Sequence, residues 1–317
     1  MSMGSRKVGI VGAGFVGATA AYSLAMLGTC HEVILYDINS DIAKGKAIDI
    51  GQSTAYSPQG TVITAAEDAS GLAGCDVIVI TAGVPRRSEM TRADLLMINA
   101  KIMKDVVGNI MKYSPDAIIL CVSNPLDIMT YVIHKMTGWD RSRIIGMAGA
   151  LDGARMAYQI NKTVGYGAGQ TRAMLIGDHG SHMIPMPEIS AVGGVPLEQI
   201  ISKEDMVGII ARTKDGGAEI VKHLGTSAYY APGRAISVMV EAILDDSRIV
   251  MPSCVLLDGE YGYSDITVGV PIVLGRNGVE RIIELDLDDE TKAKFKVSVD
   301  SIQEGIDILK DEGFFSL

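Results

Sequence analysis

Lys7-Val8-Gly9-Ile10-Val11-Gly12-Ala13-Gly14-Phe15-Val16-Gly17, running on into the Ala/Leu-rich segment Ala18 to Leu27, is the stretch that decides the fold. A β-branched run, glycines spaced Gly-x-Gly-x-x-Gly and a long apolar segment read as strand, tight turn and buried helix. Gly12 allows the turn, Gly14 lets the backbone approach a pyrophosphate, and Gly17 lets helix and strand pack closely, with the helix N-terminus facing the phosphates. The turn Gly12-Ala13-Gly14-Phe15-Val16-Gly17 is therefore a candidate dinucleotide site. Arg6 and Lys7, followed by uncharged residues from Val8 to Cys30, also resemble the start of a signal peptide or membrane span. The glycines at 9, 12, 14 and 17 dilute and divide that run, which decides against both.

Working outward, a second apolar run, Val33 to Tyr36, ends in Asp37, twenty residues after Gly17. A carboxylate there can accept hydrogen bonds from the adenosine ribose hydroxyls and would repel a 2′-phosphate, so the expected cofactor is NAD and not NADP. Short apolar runs recur at Thr61 to Thr64, Asp76 to Thr81, Ala117 to Val122 and Ile144 to Ile145, with helical patterns between most of them. Continuous apolar runs indicate strands buried on both faces, hence an α/β fold with a doubly wound Rossmann parallel sheet. From Met147 the pattern changes to irregular strands (Thr171 to Ile176, Ile249 to Leu257, Ile266 to Leu274) and long helices (Lys203 to Asp245 with a break, Asp288 to Asp311). The expected division is an NAD-binding domain over 1–146 and a mixed α+β substrate domain over 147–317, packed tightly with a cleft between them.

A net charge of −10 argues against a nucleic-acid partner, whose binding rests on Lys/Arg neutralisation of phosphates. The cysteines at 30, 75, 121 and 254 form no Cys-x-x-Cys pair, so reduced, mostly buried thiols in a cytoplasmic protein are expected. Gly45-Lys46 is followed by Ala47 and lacks the upstream glycine of a phosphate-binding Walker turn.

Three further stretches carry candidate chemistry. Thr81-Ala82-Gly83-Val84-Pro85-Arg86-Arg87-Ser88-Glu89-Met90-Thr91-Arg92 spaces guanidinium groups along a Gly/Pro-opened loop after a buried strand, a grip for a small dianion. Gly177-Asp178-His179-Gly180 can present an imidazole to a cleft, and a distant carboxylate such as Asp152 could hold its tautomer. Arg155, three residues beyond Asp152, would share its helix face and could clamp a carboxylate; taken alone, the pair also reads as an ordinary helix salt bridge. His179 and His182 have no Cys or carboxylate cluster beside them, so no metal site is read.

The chain resembles the lactate/malate dehydrogenase superfamily over essentially its whole length, and most of all its lactate-dehydrogenase-like malate dehydrogenases. The resemblance is carried by Gly12 to Gly17, Thr81-Ala82-Gly83, Met90-Thr91-Arg92, Ser123-Asn124-Pro125-Leu126-Asp127, Leu151-Asp152-Gly153-Ala154-Arg155, Gly177-Asp178-His179-Gly180 and Ala228-Tyr229-Tyr230-Ala231-Pro232. It implies that His179 donates and accepts the proton, with Asp152 as its partner. Arg155 would anchor the C1 carboxylate, and Arg92 would polarise the carbonyl once a loop from Val84 to about Asp94 closes. Asn124 would hydrogen-bond the same oxygen, the backbone at Val122 would face the nicotinamide, and Asn99 would lie beside the cofactor. Arg86 stands where malate-specific members carry an arginine and lactate-specific members a neutral residue; the small Ala228 agrees with the malate branch. This chain departs from the family in having Ser181-His182 after the catalytic His-Gly, and Ser88-Glu89 where Pro-Gly is common.

These readings converge on reversible oxidation of (S)-malate to oxaloacetate, by hydride transfer to NAD with a histidine acid/base. The small-molecule partner is a dicarboxylate. L-lactate dehydrogenase or a broader 2-hydroxyacid dehydrogenase is the alternative within the class, and a non-catalytic NAD-binding module the alternative outside it. The resemblance favours a homotetramer, with a dimer second. Ile42 to Ser53 and Ser237 to Leu244 are apolar helical stretches that could serve a subunit interface as easily as the core.

Overall fold

The computed structural model describes residues 6–58, 60–85 and 90–315. Its first half is built from β1 (Lys7–Val11), α1 (Phe15–Leu27), β2 (Glu32–Tyr36), α2 (Ser40–Ser53), β3 (Val62–Ala65), β4 (Val77–Ile80), α3 (Arg92–Tyr113), β5 (Ile118–Cys121), α4 (Leu126–Thr137) and β6 (Ile144–Gly146). The six strands are parallel and lie in the order β3-β2-β1-β4-β5-β6. Every residue of β4 and β5 is buried, as strands covered by helices on both faces must be. The order reverses between β1 and β4, which opens a crevice at their carboxyl ends, where Gly12 and Thr81 emerge.

The second half adds α5 (Ala148–Val164), β7 (Thr171–Arg172), β8 (Leu175–Ile176), β9 (Ile184–Pro185), β10 (Ala191–Val192), β11 (Val195–Pro196), α6 (Lys203–Leu224), α7 (Tyr230–Leu244), β12 (Ile249–Asp258), β13 (Ser264–Gly275), β14 (Gly278–Ile282) and α8 (Asp289–Asp311). The two halves share one sheet. β12 joins β6 through the antiparallel pair Cys254 and Gly146, and β13 and β14 extend the sheet to nine strands. The run Thr171 to Ile176, read as one strand, is two: β7 pairs with β10 and β8 with β9. The break in the long helix falls at Gly225, whose φ of 69° ends α6 in the left-handed conformation that glycine adopts without strain.

The Ser237 to Leu244 stretch serves the core: Ser237, Met239, Val240, Ala242 and Ile243 of α7 are buried. In α2, by contrast, Ile42 and Ile48 stay exposed. All four cysteines are free and buried, and burial pushes the Cys30, Cys75 and Cys121 thiols up to about 12. Among the described residues no helix is long and apolar enough to cross a membrane.

Candidate active site

The glycine turn is held from three sides. Gly12, at φ 105°, donates its N–H to the Tyr36 carbonyl and accepts from the Thr81 hydroxyl. A Cβ on Gly17 would lie 1.9 Å from the Gly12 carbonyl oxygen, so nothing larger than glycine lets α1 pack onto the turn. A Cβ on Gly14 would meet no atom within 4 Å, leaving open space on the face where a phosphate would approach. No side chain caps α1 and its first turn carries no acid, so the N–H groups of Phe15, Val16 and Gly17 have no partner inside the helix. An uncapped, acid-free helix start beside a glycine turn fits a dinucleotide pyrophosphate. The Ala13 N–H is spent differently, donating to Asp37 Oδ2 at 2.7 Å. Asp37 also accepts from Asn39 N–H, and a carboxylate with two oxygens keeps capacity for ribose hydroxyls.

The histidine centre is assembled on α5 and the loop after β8. Asp152 and Arg155 lie one turn apart on α5, and Arg155 Nη1 donates to Asp152 Oδ1 at 2.8 Å. The other oxygen of Asp152 meets His179 Nδ1 at 2.7 Å. An ionised carboxylate only accepts, so the proton of the neutral ring sits on Nδ1 and leaves Nε2 free to take or give one. Burial opposes charge on the imidazole, yet Asp152, with Asp127 adding to it, raises the His179 pKa above the usual 6.5. Arg155 Nε is buried and without a partner among the described residues, an unspent donor beside the imidazole's carboxylate. The arrangement can exchange one proton near neutral pH and bind a carboxylate next to it.

The lactate/malate dehydrogenase NAD binding domain profile matches residues 6–146, and the profile of the family's alpha/beta C-terminal domain matches residues 149–312. The chain belongs to the lactate/malate dehydrogenase family. It is 55% identical to a malate dehydrogenase of Sulfurimonas denitrificans, over 98% of each chain. The structure of malate dehydrogenase from Salinibacter ruber superposes with a TM-score of 0.92 at 40% identity, covering 97% of this chain and 99% of that one. The Cryptosporidium parvum lactate dehydrogenase, complexed with lactic acid and NAD, gives 0.91 at 34% identity over 96% and 98%. As the family's NAD binding domain, the first half takes NAD as its cofactor.

Within that family frame the remaining residues fall as follows. Asn99 is buried on α3; its Oδ1 accepts from Val84 N–H, and its Nδ2 donates to the carbonyls of Val84 and Asn124. It is thus a staple between the loop after β4 and the loop after β5, with its amide spent on backbone. Val122 is half-buried just past β5, and Asn124 is exposed just before α4. Arg92 opens α3 as an exposed residue and forms no ion pair among the described residues. A cation at a helix N-terminus is opposed by the helix dipole, so its place is not explained by helix stability. Arg86 and the Ser88-Glu89 departure lie outside the described residues. The Ser181-His182 departure does not disturb the centre: His182 Nδ1 meets Asp178 Oδ2 at 3.2 Å, apart from the His179 pairing. Among the described residues no cluster of three or more His, Cys, Asp or Glu could hold a metal ion.

One residue of the centre escaped the sequence reading. Asp127, in the first turn of α4, accepts the His179 main-chain N–H at 2.8 Å. Its signal was present: a lone charge in the otherwise uncharged run Pro125 to Ile133.

Proposed function

We infer that the protein is an NAD-dependent malate dehydrogenase that interconverts (S)-malate and oxaloacetate. The observation that carries this reading is the chain of contacts from Arg155 through Asp152 to His179, which sets a carboxylate anchor beside a proton-transfer group. Identity of 55% to a malate dehydrogenase across nearly the whole chain, and the arginine at 86, favour malate over lactate.

In the reduction of oxaloacetate, Arg155 holds the C1 carboxylate and Arg86 the distal one. Arg92 and Asn124 polarise the carbonyl oxygen, and His179 Nε2 gives that oxygen its proton while Asp152 steadies the ring. The bound nicotinamide supplies the hydride. Ala13, Phe15, Val16 and the three glycines of the turn, with Asp37, Asn99 and Val122, make up the cofactor side of this reading. Residues 1–146 form its NAD-binding domain and 147–317 its catalytic domain. A cytoplasmic homo-oligomer, tetramer before dimer, acting in the tricarboxylic acid cycle, completes it; exposed Ile42 and Ile48 on α2 support a subunit contact.

The test is steady-state NADH oxidation with oxaloacetate and with pyruvate, in the wild type and in Arg86→Gln. Losing one partner of a buried charge pair costs roughly 2–5 kcal/mol, so kcat/KM for oxaloacetate should fall by about 30-fold to several thousandfold while pyruvate turnover rises. An Arg86→Gln enzyme that keeps its oxaloacetate rate removes the support for malate.

A further inference from the structure

His179 is gripped at two points by two acids, and only one of them has a cation beside it. Asp152 takes the ring and shares its charge with Arg155 at 2.8 Å. Asp127 takes the main chain and makes no ion pair among the described residues, and its Oδ1 has no hydrogen-bond partner there. Asp127 is 6% exposed, and its own carbonyl accepts from the buried Thr267 hydroxyl of β13 at 2.7 Å, which fixes the start of α4 against the sheet. The loop carrying the histidine is tied to the same strand, since Gly177 and Gly269 exchange both main-chain hydrogen bonds. A Cβ on Gly269 would come within 2.5 Å of the Gly177 carbonyl oxygen, so the approach needs glycine. Asp127 therefore closes a rigid frame made of α4, β13 and the histidine loop.

A buried carboxylate without a cation is costly to maintain, and a neutral acceptor would hold the N–H as well. The groups facing it compensate little: the Cys254 thiol favours the carboxylate only as a weak donor, and apart from the histidine none of them can carry a positive charge. Cys254 from β12 and Cys121 from β5 are thiols held protonated by burial, Thr130 lies one turn on along α4, and Asp178 beside the histidine is itself an acid. The remaining titratable neighbour is the imidazole. Burial pushes Asp127 up to about 6, against the pull of the His179 N–H, so at neutral pH it is mostly ionised.

We propose that Asp127 is a positioning residue for the acid/base histidine, fixing its main chain and supplying a second negative charge that favours the imidazolium. This rests on the reading of His179 as the proton-transfer group. The charge matters because the imidazolium is the form that reduces oxaloacetate and the form that malate oxidation must generate. Asp152, hydrogen-bonded to the ring, is the stronger influence; Asp127, with no cation beside it among the described residues, adds to it.

Two variants separate the roles. Asp127→Asn keeps an acceptor for the His179 N–H and removes the charge; Asp127→Ala removes both. In Asp127→Asn, the pH above which kcat/KM for oxaloacetate falls and the pH above which kcat/KM for malate rises should both move down by roughly 0.5–1 unit. In Asp127→Ala, kcat should drop by about tenfold or more with NADH affinity retained, and Asn should recover part of that loss. Should Asp127→Ala fail to fold, the pH limbs of Asp127→Asn decide alone. Limbs at their wild-type positions in Asp127→Asn, or a wild-type kcat in Asp127→Ala, overturn the proposal. His179→Asn distinguishes the deeper failure: turnover retained there would remove the histidine reading itself, whereas an inactive His179→Asn with unmoved limbs in Asp127→Asn removes Asp127 alone.

Discussion

The glycine turn and the histidine loop both follow a strand and both present polar groups to a ligand, but they are held by different means. At the turn the backbone does the work. The N–H groups of Gly12 and Ala13 are satisfied by Tyr36 and Asp37, within about two dozen positions along the chain, Thr81 holds the Gly12 carbonyl from farther off, and the helix N–H groups that remain need no side chain to aim them. At the histidine loop the working group is a side chain, and its orientation comes from Asp152, 27 positions away, and Asp127, 52 positions away, on two different helices. A site made of backbone is specified by small residues at fixed spacing, whereas a site made of a side chain is specified by whatever the fold brings to it.

The largest effect that could break this contrast is at His179. Replacing it with Asn should lower kcat by roughly 10²–10⁴-fold while NADH binding, followed by fluorescence titration, is retained. The backbone site would then be intact with the side-chain site abolished; a greater loss in His182→Asn would mean that the centre lies one pairing further along. The wild-type pH profile sharpens the same point. Because the His179 pKa is raised above 6.5, kcat/KM for oxaloacetate should hold to a higher pH than an ordinary imidazole would allow and decline as pH rises through the displaced pKa. A decline already complete at pH 6.5 would show that Asp152 does not act on the ring.

A smaller effect is expected at Asp37, the charged side chain that holds the turn. A 2′-phosphate beside this carboxylate should cost NADP on the order of a hundredfold or more in kcat/KM relative to NAD. Equal turnover with both cofactors would detach Asp37 from the ribose.

Gly14 and Gly17 test the backbone site from within. Gly17→Ala drives a Cβ into the Gly12 carbonyl, so both the melting temperature and NADH affinity should fall, the steric penalty being about 1–3 kcal/mol. Gly14→Ala meets open space, so it should leave the melting temperature alone and weaken NADH by about tenfold through its approach to the phosphate. Equal thermal loss in both would mean that Gly14 is there for the fold. The smallest effect concerns the thiols: with Cys30, Cys75 and Cys121 pushed up to about 12, a thiol reagent at pH 8 should label the native protein far more slowly than the unfolded chain.

Much of this molecule was legible in its amino-acid order. Lys7 to Val11 is β1 as read, and the first-half strands fall within one residue of their expected ends; β4 and β5, buried throughout, are apolar throughout. The turn from Gly12 to Gly17 and the acid at 37 identify themselves by spacing, and the uncharged run from Val8 to Cys30 is strand, turn and helix as its glycines indicate. For His179, Asp152 and Arg155 the chain offered only a histidine between glycines and an Asp-Arg pair that also reads as a helix salt bridge; the family resemblance supplied their implied roles, and the structure brings them within 2.8 Å of one another in series.

Only the tertiary structure decided how the halves meet. The nine-stranded sheet is joined at one residue pair, Cys254 with Gly146, and no period in either segment announces it. It likewise divided Thr171 to Ile176 between two small sheets, turned Ser237 to Leu244 into core, gave His182 to Asp178, spent Asn99 on two loops and set Asp127 against the main chain of His179. The physical reason is common to all of these. Periodic burial leaves a repeating trace in the chain, but a hydrogen bond between one buried polar group and another far along the chain is a single event, chosen by the packing that removes both from water.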